Sequence, residues 1–499
     1  MELDFDRVMI PCLRTAANYV QRQELLQEVR LTDGMPDIGK VLTSYGQVLV
    51  RGKEWRSNSM SVSGGVMLWV LYGPEDGSNP QWIETWLPFQ LQWDFTESER
   101  DGSIVVEPIL QSVDARSVSA RKFVVRADIA IKGIALIPDE IQVFEPRDVP
   151  EDVYLLRQTY PVLLPAEAGE KVLNIEETLV LPASAQELDR IICCSMRAEL
   201  TDTKIVSDKA VFKGCALLHV LYQGQDHRLY AWDFDIPISQ YVQLDKEHNT
   251  EGCMVPRIAV SELELVQGED QKLLLKVGLI CQYILYDTMQ IQTVADAYSV
   301  HRQTTPEVNR LYLPSLLDRL EQTIQLEQTA TADIEQVVDT VICVKDAGVI
   351  AESGTVTAEL NGVFNTLYYG RDGQLACVTS GWQESWSGMA DETVKTDLSV
   401  TVSGAPQAIK GSDGVLHRAN VRVELLCTGG CGVPMVSAVA LSETRQLDPN
   451  RPSMILRCAD TCSLWDVAKQ SGSTVELIKE ANGISNDSAP GQMLLIPVV

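Results

Sequence analysis

Apolar and polar residues alternate along much of this chain. The clearest runs lie within residues 119–131, 271–283 and 419–427, and clusters of Gly, Asp, Asn and Ser separate such runs. A period of two places successive side chains on opposite faces of a strand, and one polar face is typical of antiparallel sheets. We therefore predict a mainly β protein built from antiparallel sheets.

One apolar run that ends in tyrosine occurs three times, at intervals of about 150 residues. Its copies read Gly64-Gly-Val-Met-Leu-Trp-Val-Leu-Tyr72, Gly214-Cys-Ala-Leu-Leu-His-Val-Leu-Tyr222 and Asn361-Gly-Val-Phe-Asn-Thr-Leu-Tyr-Tyr369. The interval is too long for a solenoid unit and fits a whole domain. We predict three tandem homologous β-rich domains, with proline-punctuated linkers at 146–165 and 302–314; the domains span 1–150, 160–305 and 312–447.

The start of the first domain has a different spacing. Apolar residues there recur at helical intervals: Ala16, Tyr19, Val20, Leu25, Leu26 and Val29. This spacing predicts an N-terminal helix over residues 15–30, before the turn that opens the first repeat.

Residues 453–499 differ in character from the repeats, and their pattern predicts strand, helix, helix and strand. Ser473 and Glu476 fit a capping box for the second helix, and Asn482-Gly483 fits its end. We expect four apolar residues to support the core of this tail: Leu464, Trp465, Ile478 and Ile496.

Composition argues against several classes of partner. The chain of 499 residues has 41 Lys and Arg against 69 Asp and Glu, a net charge of -28, which repels phosphate backbones and anionic lipids. Its first residues are acidic where a signal peptide is basic, and no apolar stretch is long enough to span a membrane. We expect a protein of the cytoplasm that binds neither nucleic acid nor bare membrane.

Candidate catalytic and metal motifs are weak. Residues 34–41 match GxxxxGK, but Val41 replaces the Ser or Thr that binds Mg²⁺, and Pro36 removes a phosphate-binding amide. The five histidines share no metal or triad spacing, and the 12 cysteines are scattered through apolar strands, as reduced core thiols are. We predict no enzymatic activity, no cofactor and no metal.

The tail resembles a LysM domain, through Asp460-Thr461, Asn482 and Gly491-Gln492-x-Leu494-x-Ile496-Pro497. LysM domains bind N-acetylglucosamine polymers between two loops, which correspond here to residues 459–463 and 483–491. The resemblance implies eight loop residues as the binding site: Asp460, Thr461, Ser463, Asn482, Gly483, Ile484, Gly491 and Gln492. Ala459 stands where the family has glycine, and no aromatic residue opens the first strand, so the sugar groove is weakened.

The repeats resemble SPOCS domains of spore-coat proteins, through Met35-Pro-Asp-Ile38, the Val-Leu-Tyr strand and Ala295-Asp-Ala-Tyr-Ser299. Three such repeats before a LysM domain are similar to the SipL-like spore coat morphogenetic proteins. The resemblance implies a non-enzymatic scaffold, made in the mother-cell cytoplasm and placed at the forespore surface and in the spore coat. Its LysM domain would bind a SpoIVA-like coat ATPase, and its repeats, arranged as a rigid rod, would bind other coat proteins or themselves. The alternative is a peptidoglycan-binding protein of the spore cortex or cell wall.

Overall fold

The computed structural model describes residues 2–56, 58–95, 101–352, 354–389, 395–444, 452–458, 463–486 and 491–499. Within these ranges strands dominate, the sheets are antiparallel, and both helices lie in the C-terminal tail. The prediction of a mainly β, antiparallel protein with a small βααβ tail is therefore confirmed.

In the described residues each repeat has six strands in two sheets, and a short strand β1 (Glu2–Leu3) precedes the first repeat. The strands of repeat 1 are β2 (Phe5–Arg30), β3 (Ile38–Arg56), β4 (Ser59–Pro74), β5 (Gln81–Asp94), β6 (Ser103–Ser119) and β7 (Lys122–Pro146). Those of repeat 2 are β8 (Val153–Val180), β9 (Leu188–Val206), β10 (Lys209–Gly224), β11 (Leu229–Gln243), β12 (Cys253–Gln267) and β13 (Lys272–Ser299). Those of repeat 3 are β14 (Arg302–Thr331), β15 (Ile334–Glu352), β16 (Thr355–Gly370), β17 (Leu375–Met389), β18 (Lys395–Lys410) and β19 (Gly414–Thr444).

The same topology recurs in all three repeats. The second, third and fourth strands form a meander, whereas the sixth strand lies between the first and the fifth in the other sheet. Every second side chain of the sixth strand reaches the core: in β7, Phe123, Val125, Ala127 and Ile129 are all fully buried. This is the two-residue period that the alternating sequence predicts.

The tyrosine that ends each repeated run is a core residue. Tyr72 and Tyr222 are almost fully buried. Their hydroxyls donate to the backbone carbonyls of Pro36 and Gln186 at 3.1 and 3.3 Å, in the turn before the meander. The hydroxyl of Tyr369 instead accepts a bond from the backbone N–H of Leu229 in repeat 2, at 3.0 Å. The tyrosine hydroxyl therefore fixes the turn before the meander in repeats 1 and 2. In repeat 3 it bonds to the backbone of repeat 2 instead.

The predicted N-terminal helix is wrong, because residues 15–30 belong to strand β2. This strand pairs with β7 from Phe5↔Pro146 to Arg30↔Lys122, with one bulge between Thr15 and Ala17. Several apolar residues that suggested a helix point to solvent; Leu26, for example, is 62% exposed. A long partner strand with a buried face outweighs a local spacing of apolar residues.

The predicted linkers are also mostly strand. Strand β8 begins at Val153 and β14 at Arg302, so most of residues 146–165 and 302–314 lie in regular pairing. The prolines at 161, 165, 306 and 314 are tolerated because β8 and β14 are edge strands, where a missing backbone N–H breaks no second ladder. These four prolines therefore lie at sheet edges.

The three repeats pack in a ring, and the expected rod is wrong. Strand β3 contacts β12, β9 contacts β18, and β15 contacts β6, so each repeat touches the other two. One apolar cluster takes three residues from each repeat: Cys12, Ile141, Val143, Val162, Leu164, Ile291, Leu313, Val433 and Met435. These shared surfaces are apolar. Packing the repeats side by side buries them, whereas an extended rod would expose them to water.

Each repeat also contributes one polar side chain to a buried node, formed by Tyr45, His219 and Asp339. Nδ1 of His219 lies 2.7 Å from Asp233 Oδ1, and its Nε2 lies 3.2 Å from Asp339 Oδ2. Burial lowers the pKa of His219, but Asp339 and Asp233 outweigh burial and raise this pKa to about 10. Burial raises the pKa of Asp339, but His219 and a hydrogen bond from Tyr45 bring it below its usual value. A charged histidine and a carboxylate therefore join repeats 2 and 3.

Gly214→Ala is expected to lower the free energy of unfolding by about 1–3 kcal/mol. A Cβ at this position would lie 2.0 Å from the backbone oxygen of Glu199, so the two strands must move apart. Gly64 and Gly362 meet backbone oxygens in the same way, at 2.1 Å. Chemical denaturation measures the loss, with Gly348→Ala as the matched control, since a Cβ there meets no atom within 4 Å. Equal stability of the two variants would contradict this reason for glycine.

Candidate partner-binding site in the C-terminal module

The C-terminal module consists of β20 (Met454–Cys458), α1 (Leu464–Ser471), α2 (Val475–Asn482) and β21 (Met493–Pro497). The two strands pair antiparallel from Met454↔Pro497 to Cys458↔Met493. Leu464, Ile478 and Ile496 are fully buried, as predicted for the core. Trp465 is partly buried and packs against this core, as predicted, and it has a second role, described below.

Side chains cap both helices at their N-termini. The hydroxyl of Ser463 accepts a bond from the Asp466 backbone N–H at 3.2 Å, and it donates to the Asp466 carboxylate. For α2 the cap is Thr474, which accepts from the Leu477 N–H at 3.1 Å. The predicted Ser473 cap is therefore wrong by one residue, since Thr474 has the extended backbone of the N-cap and the Ser473 side chain is fully buried. Gly483 ends α2 in the left-handed region, with φ 62°, as predicted.

The structure describes only some of the predicted loop residues. Asp460 and Thr461 lie outside the described residues. Gln492 and Gly491 are exposed beside the start of β21, and Gly491 has φ 72°. Ile484 is half-buried against the module core. Ser463 and Gly483 sit at the start of α1 and the end of α2, so the described site residues flank one end of the module.

Asn482 ties α2 to β21. Its side-chain amide donates to the Ile478 and Leu495 backbone oxygens at 2.7 and 2.6 Å, and its carbonyl accepts from the Leu495 N–H at 2.8 Å. These bonds use the polar atoms of Asn482 inside the module. Asn482 therefore has a structural role within the module.

Asn482→Ala is expected to destabilise the module by about 1–3 kcal/mol, because the Leu495 backbone groups lose their partner. Hydrogen exchange of the amides in α2 and β21 measures this effect residue by residue. The control is Gln492→Ala, which removes an exposed amide at the same end of the module. If Asn482→Ala leaves exchange unchanged, the amide bonds do not stabilise the module.

The module is fixed to repeat 2 through Asp296. Its carboxylate accepts a bond from the Trp465 indole N–H at 2.9 Å and binds the Lys469 ammonium at 2.8 and 2.7 Å. Trp465 and Lys469 lie one turn apart on α1, so they face the same strand. Trp465 packs against the module's core, as predicted, and its indole N–H also joins the module to the ring.

Tyr298 completes this contact. It is 2% exposed, and its hydroxyl donates to the Ser473 backbone oxygen at 3.0 Å. Its ring meets Trp465 edge to face at 4.7 Å between centroids and stacks on Tyr154 at 5.4 Å. Sequence reasoning missed this contact. The sequence feature that could have indicated this contact is the segment 295–299, which is present in repeat 2 and differs at the ends of the other two repeats.

The opposite side of the module is apolar and open. Met454, Leu456, Met493 and Leu495 all point outward from the two strands, and we call them the outer face. They are 51%, 61%, 58% and 41% exposed. Four large apolar side chains on one small sheet form the kind of patch that marks an interaction surface.

Other polar clusters have structural partners. His248 lies between Asp287 and Glu167 at 2.9 and 3.0 Å, and His417 between Thr366 and Ser380 at 2.7 and 3.0 Å. Within the described ranges no three His, Cys, Asp or Glu side chains are grouped as a metal site requires. In that part of the chain, no helix is long and apolar enough to cross a membrane.

Comparison with known protein families matches two segments. The model of the SipL SPOCS domain matches residues 187–265, which run from the meander of repeat 2 into its second sheet. The LysM domain model matches residues 463–497, which include both helices and β21. No curated protein and no solved structure matches the chain. All the predicted domain boundaries stay predictions. The chain carries a SPOCS domain of the SipL type followed by a C-terminal LysM domain.

Proposed function

We propose that this chain is a non-enzymatic spore coat morphogenetic scaffold that docks a SpoIVA-like coat ATPase through its LysM domain. The observation that supports this best is the outer face, because exposed methionine and leucine side chains suit a protein partner better than a sugar. A glycan needs hydrogen-bonding groups around its hydroxyls, and Asn482 uses its amide within the module. The proposed location is the mother-cell cytoplasm and then the forespore surface.

The attachment to repeat 2 supports a scaffold role. A partner on the outer face would be held in a fixed orientation to the ring, because Asp296 and Tyr298 hold the opposite side of the module. The ring offers further surface for other coat proteins or for self-association. Several weak contacts on one rigid body gain avidity through effective concentration.

A pull-down with a purified SpoIVA-like protein tests the proposal. The full chain should recover the partner, and the chain lacking residues 453–499 should not. Leu456→Lys combined with Leu495→Lys should reduce recovery at least tenfold, because both charges enter the apolar contact. Val266→Lys, at a 48% exposed position on repeat 2, is the matched control. Equal recovery by the truncated chain would remove the module from this role.

The alternative function is binding of peptidoglycan in the cortex or wall, which the LysM match favours. Sedimentation with purified sacculi separates the two functions, since a coat scaffold stays in the supernatant. Co-sedimentation that Gln492→Ala weakens and the paired lysine substitutions leave unchanged would favour the glycan site over the outer face.

A further inference from the structure

A cavity of about 670 Å³ lies where the three repeats meet. Strands β3, β9, β12, β15 and β18 supply most of its wall, so each repeat contributes to it. Arg22 and Asp346 mark its mouth, because their side chains are 58% and 48% exposed while they pair with each other. The volume lies within the range of cavities that bind small organic molecules.

Much of the wall is apolar. Val48, Met196, Val260 and Ile342 line the cavity and are less than a tenth exposed. Side chains of this kind shape a site for an apolar body and leave few groups to orient it. The orienting groups therefore have to be the charged residues of the same wall.

The charged wall is unusual for so acidic a chain. Six of its described residues are Lys or Arg and five are Asp or Glu, whereas the whole chain has 41 against 69. The carboxylates are already paired: Glu424 with Arg257 and Arg319, and Glu199 with Arg422. Lys132 lies 2.7 Å from Asp397. The lining therefore has one Lys or Arg side chain more than it has carboxylates, although the chain as a whole is acidic.

Arg197 is a cationic side chain of the lining that takes part in none of these ion pairs. It lines the cavity from β9, and its guanidinium makes no hydrogen bond or ion pair within the described part of the chain. Burial lowers its pKa, although Asp233 acts on it through space in the opposite sense. Arg257, whose side chain is 8% exposed, also has one nitrogen, Nη2, without a hydrogen bond. A guanidinium is a planar donor that suits a carboxylate, sulfonate or phosphate.

We propose that this cavity binds a small organic anion, with its apolar body between the meander strands and its anionic group on Arg197. Neither the coat-scaffold role nor the LysM domain requires such a site. The ligand would touch all three repeats at once, and its binding would stabilise the closed ring by mass action.

Two dyes of nearly the same apolar body test the proposal on the full chain. 8-Anilinonaphthalene-1-sulfonate carries a sulfonate, and N-phenyl-1-naphthylamine lacks it. Arg197→Gln should weaken binding of the anionic dye about tenfold or more and leave the neutral dye unchanged, because one charge-assisted contact is lost. Arg7→Gln, which removes an exposed arginine of β2, is the matched control and should bind both dyes as the wild type does.

A second variant tests the cavity without changing charge. Gly348 lines the cavity, and a Cβ there meets no atom within 4 Å, so Gly348→Phe should fill space and weaken both dyes. Thermal unfolding of each variant shows that the ring is intact. Wild-type protein that binds neither dye, or Arg197→Gln with unchanged affinity for the anionic dye, would overturn the proposal. Loss of partner recovery in the pull-down above would leave this result untouched.

Discussion

Tyr298→Ala is expected to release the LysM domain from repeat 2 while the domain itself stays folded. The substitution removes a 2% exposed ring that contacts both Trp465 and Tyr154, and truncating such an aromatic side chain costs about 3–5 kcal/mol. The domain keeps its own buried residues, including Leu464 and Ile496, so the loss falls on the contact with the ring.

Hydrogen exchange across α1 and small-angle scattering measure this release. Exchange at the α1 face should rise, and the radius of gyration should increase as the domain separates from the ring. Tyr298→Phe is the control: it keeps the ring and loses only the hydrogen bond to Ser473, at a cost of about 1 kcal/mol. A domain that stays attached in the alanine variant would show that Asp296 alone holds it.

His219→Ala is expected to loosen the ring. It leaves Asp339 as a buried carboxylate without its cation, and breaking a buried pair in this way costs about 3–5 kcal/mol. The control is His301→Ala, whose ring makes no hydrogen bond or ion pair in the described part of the chain. Thermal unfolding at pH 6 measures both. Equal midpoints for the two variants would show that the node contributes little.

The same node predicts how stability depends on pH. Because the folded pKa of His219 is raised to about 10, its contribution is fully present below the unfolded value of about 6.5 and is lost as pH rises towards 10. Asp339 acts oppositely: its lowered pKa adds stability above the unfolded value of about 3.9, and this is lost in acid. The midpoint difference between wild type and His219→Ala should therefore shrink between pH 6 and pH 10. A constant difference would contradict a charged His219.

Local patterns predicted the parts of the fold that depend on neighbours in sequence. Alternation identified the strands, the repeated tyrosine identified core positions, and helical spacing with a terminal glycine identified α2. The pattern failed for β2, whose partner β7 follows about 100 residues later. Because the two strands lie so far apart in the sequence, the pattern of β2 alone does not indicate that it pairs with β7.

The candidate site was harder to predict for the same reason. Asn482 was recognised as a motif residue, but its bonds to β21 became visible only in three dimensions. Trp465 has the spacing of a core residue and pairs with Asp296, which is 169 positions away. The ring forms because apolar strand faces of one repeat pack against another repeat. Such a face has the same sequence pattern when it packs against the second sheet of its own repeat, so the sequence did not predict the ring.

The node of Tyr45, His219 and Asp339 makes the repeats non-interchangeable. His219 lies three residues before the tyrosine that ends its run, and Trp69 and Thr366 take this position in repeats 1 and 3. Asp339 lies five residues after the start of its meander, and Thr43 and Cys193 take this position in repeats 1 and 2. A concatemer of one copy would lack this ion pair, because copy 2 has Cys193 at the position of Asp339 and copy 3 has Thr366 at the position of His219. Shuffling the copies would break the same match, so the gene encodes the order of its segments as well as their fold.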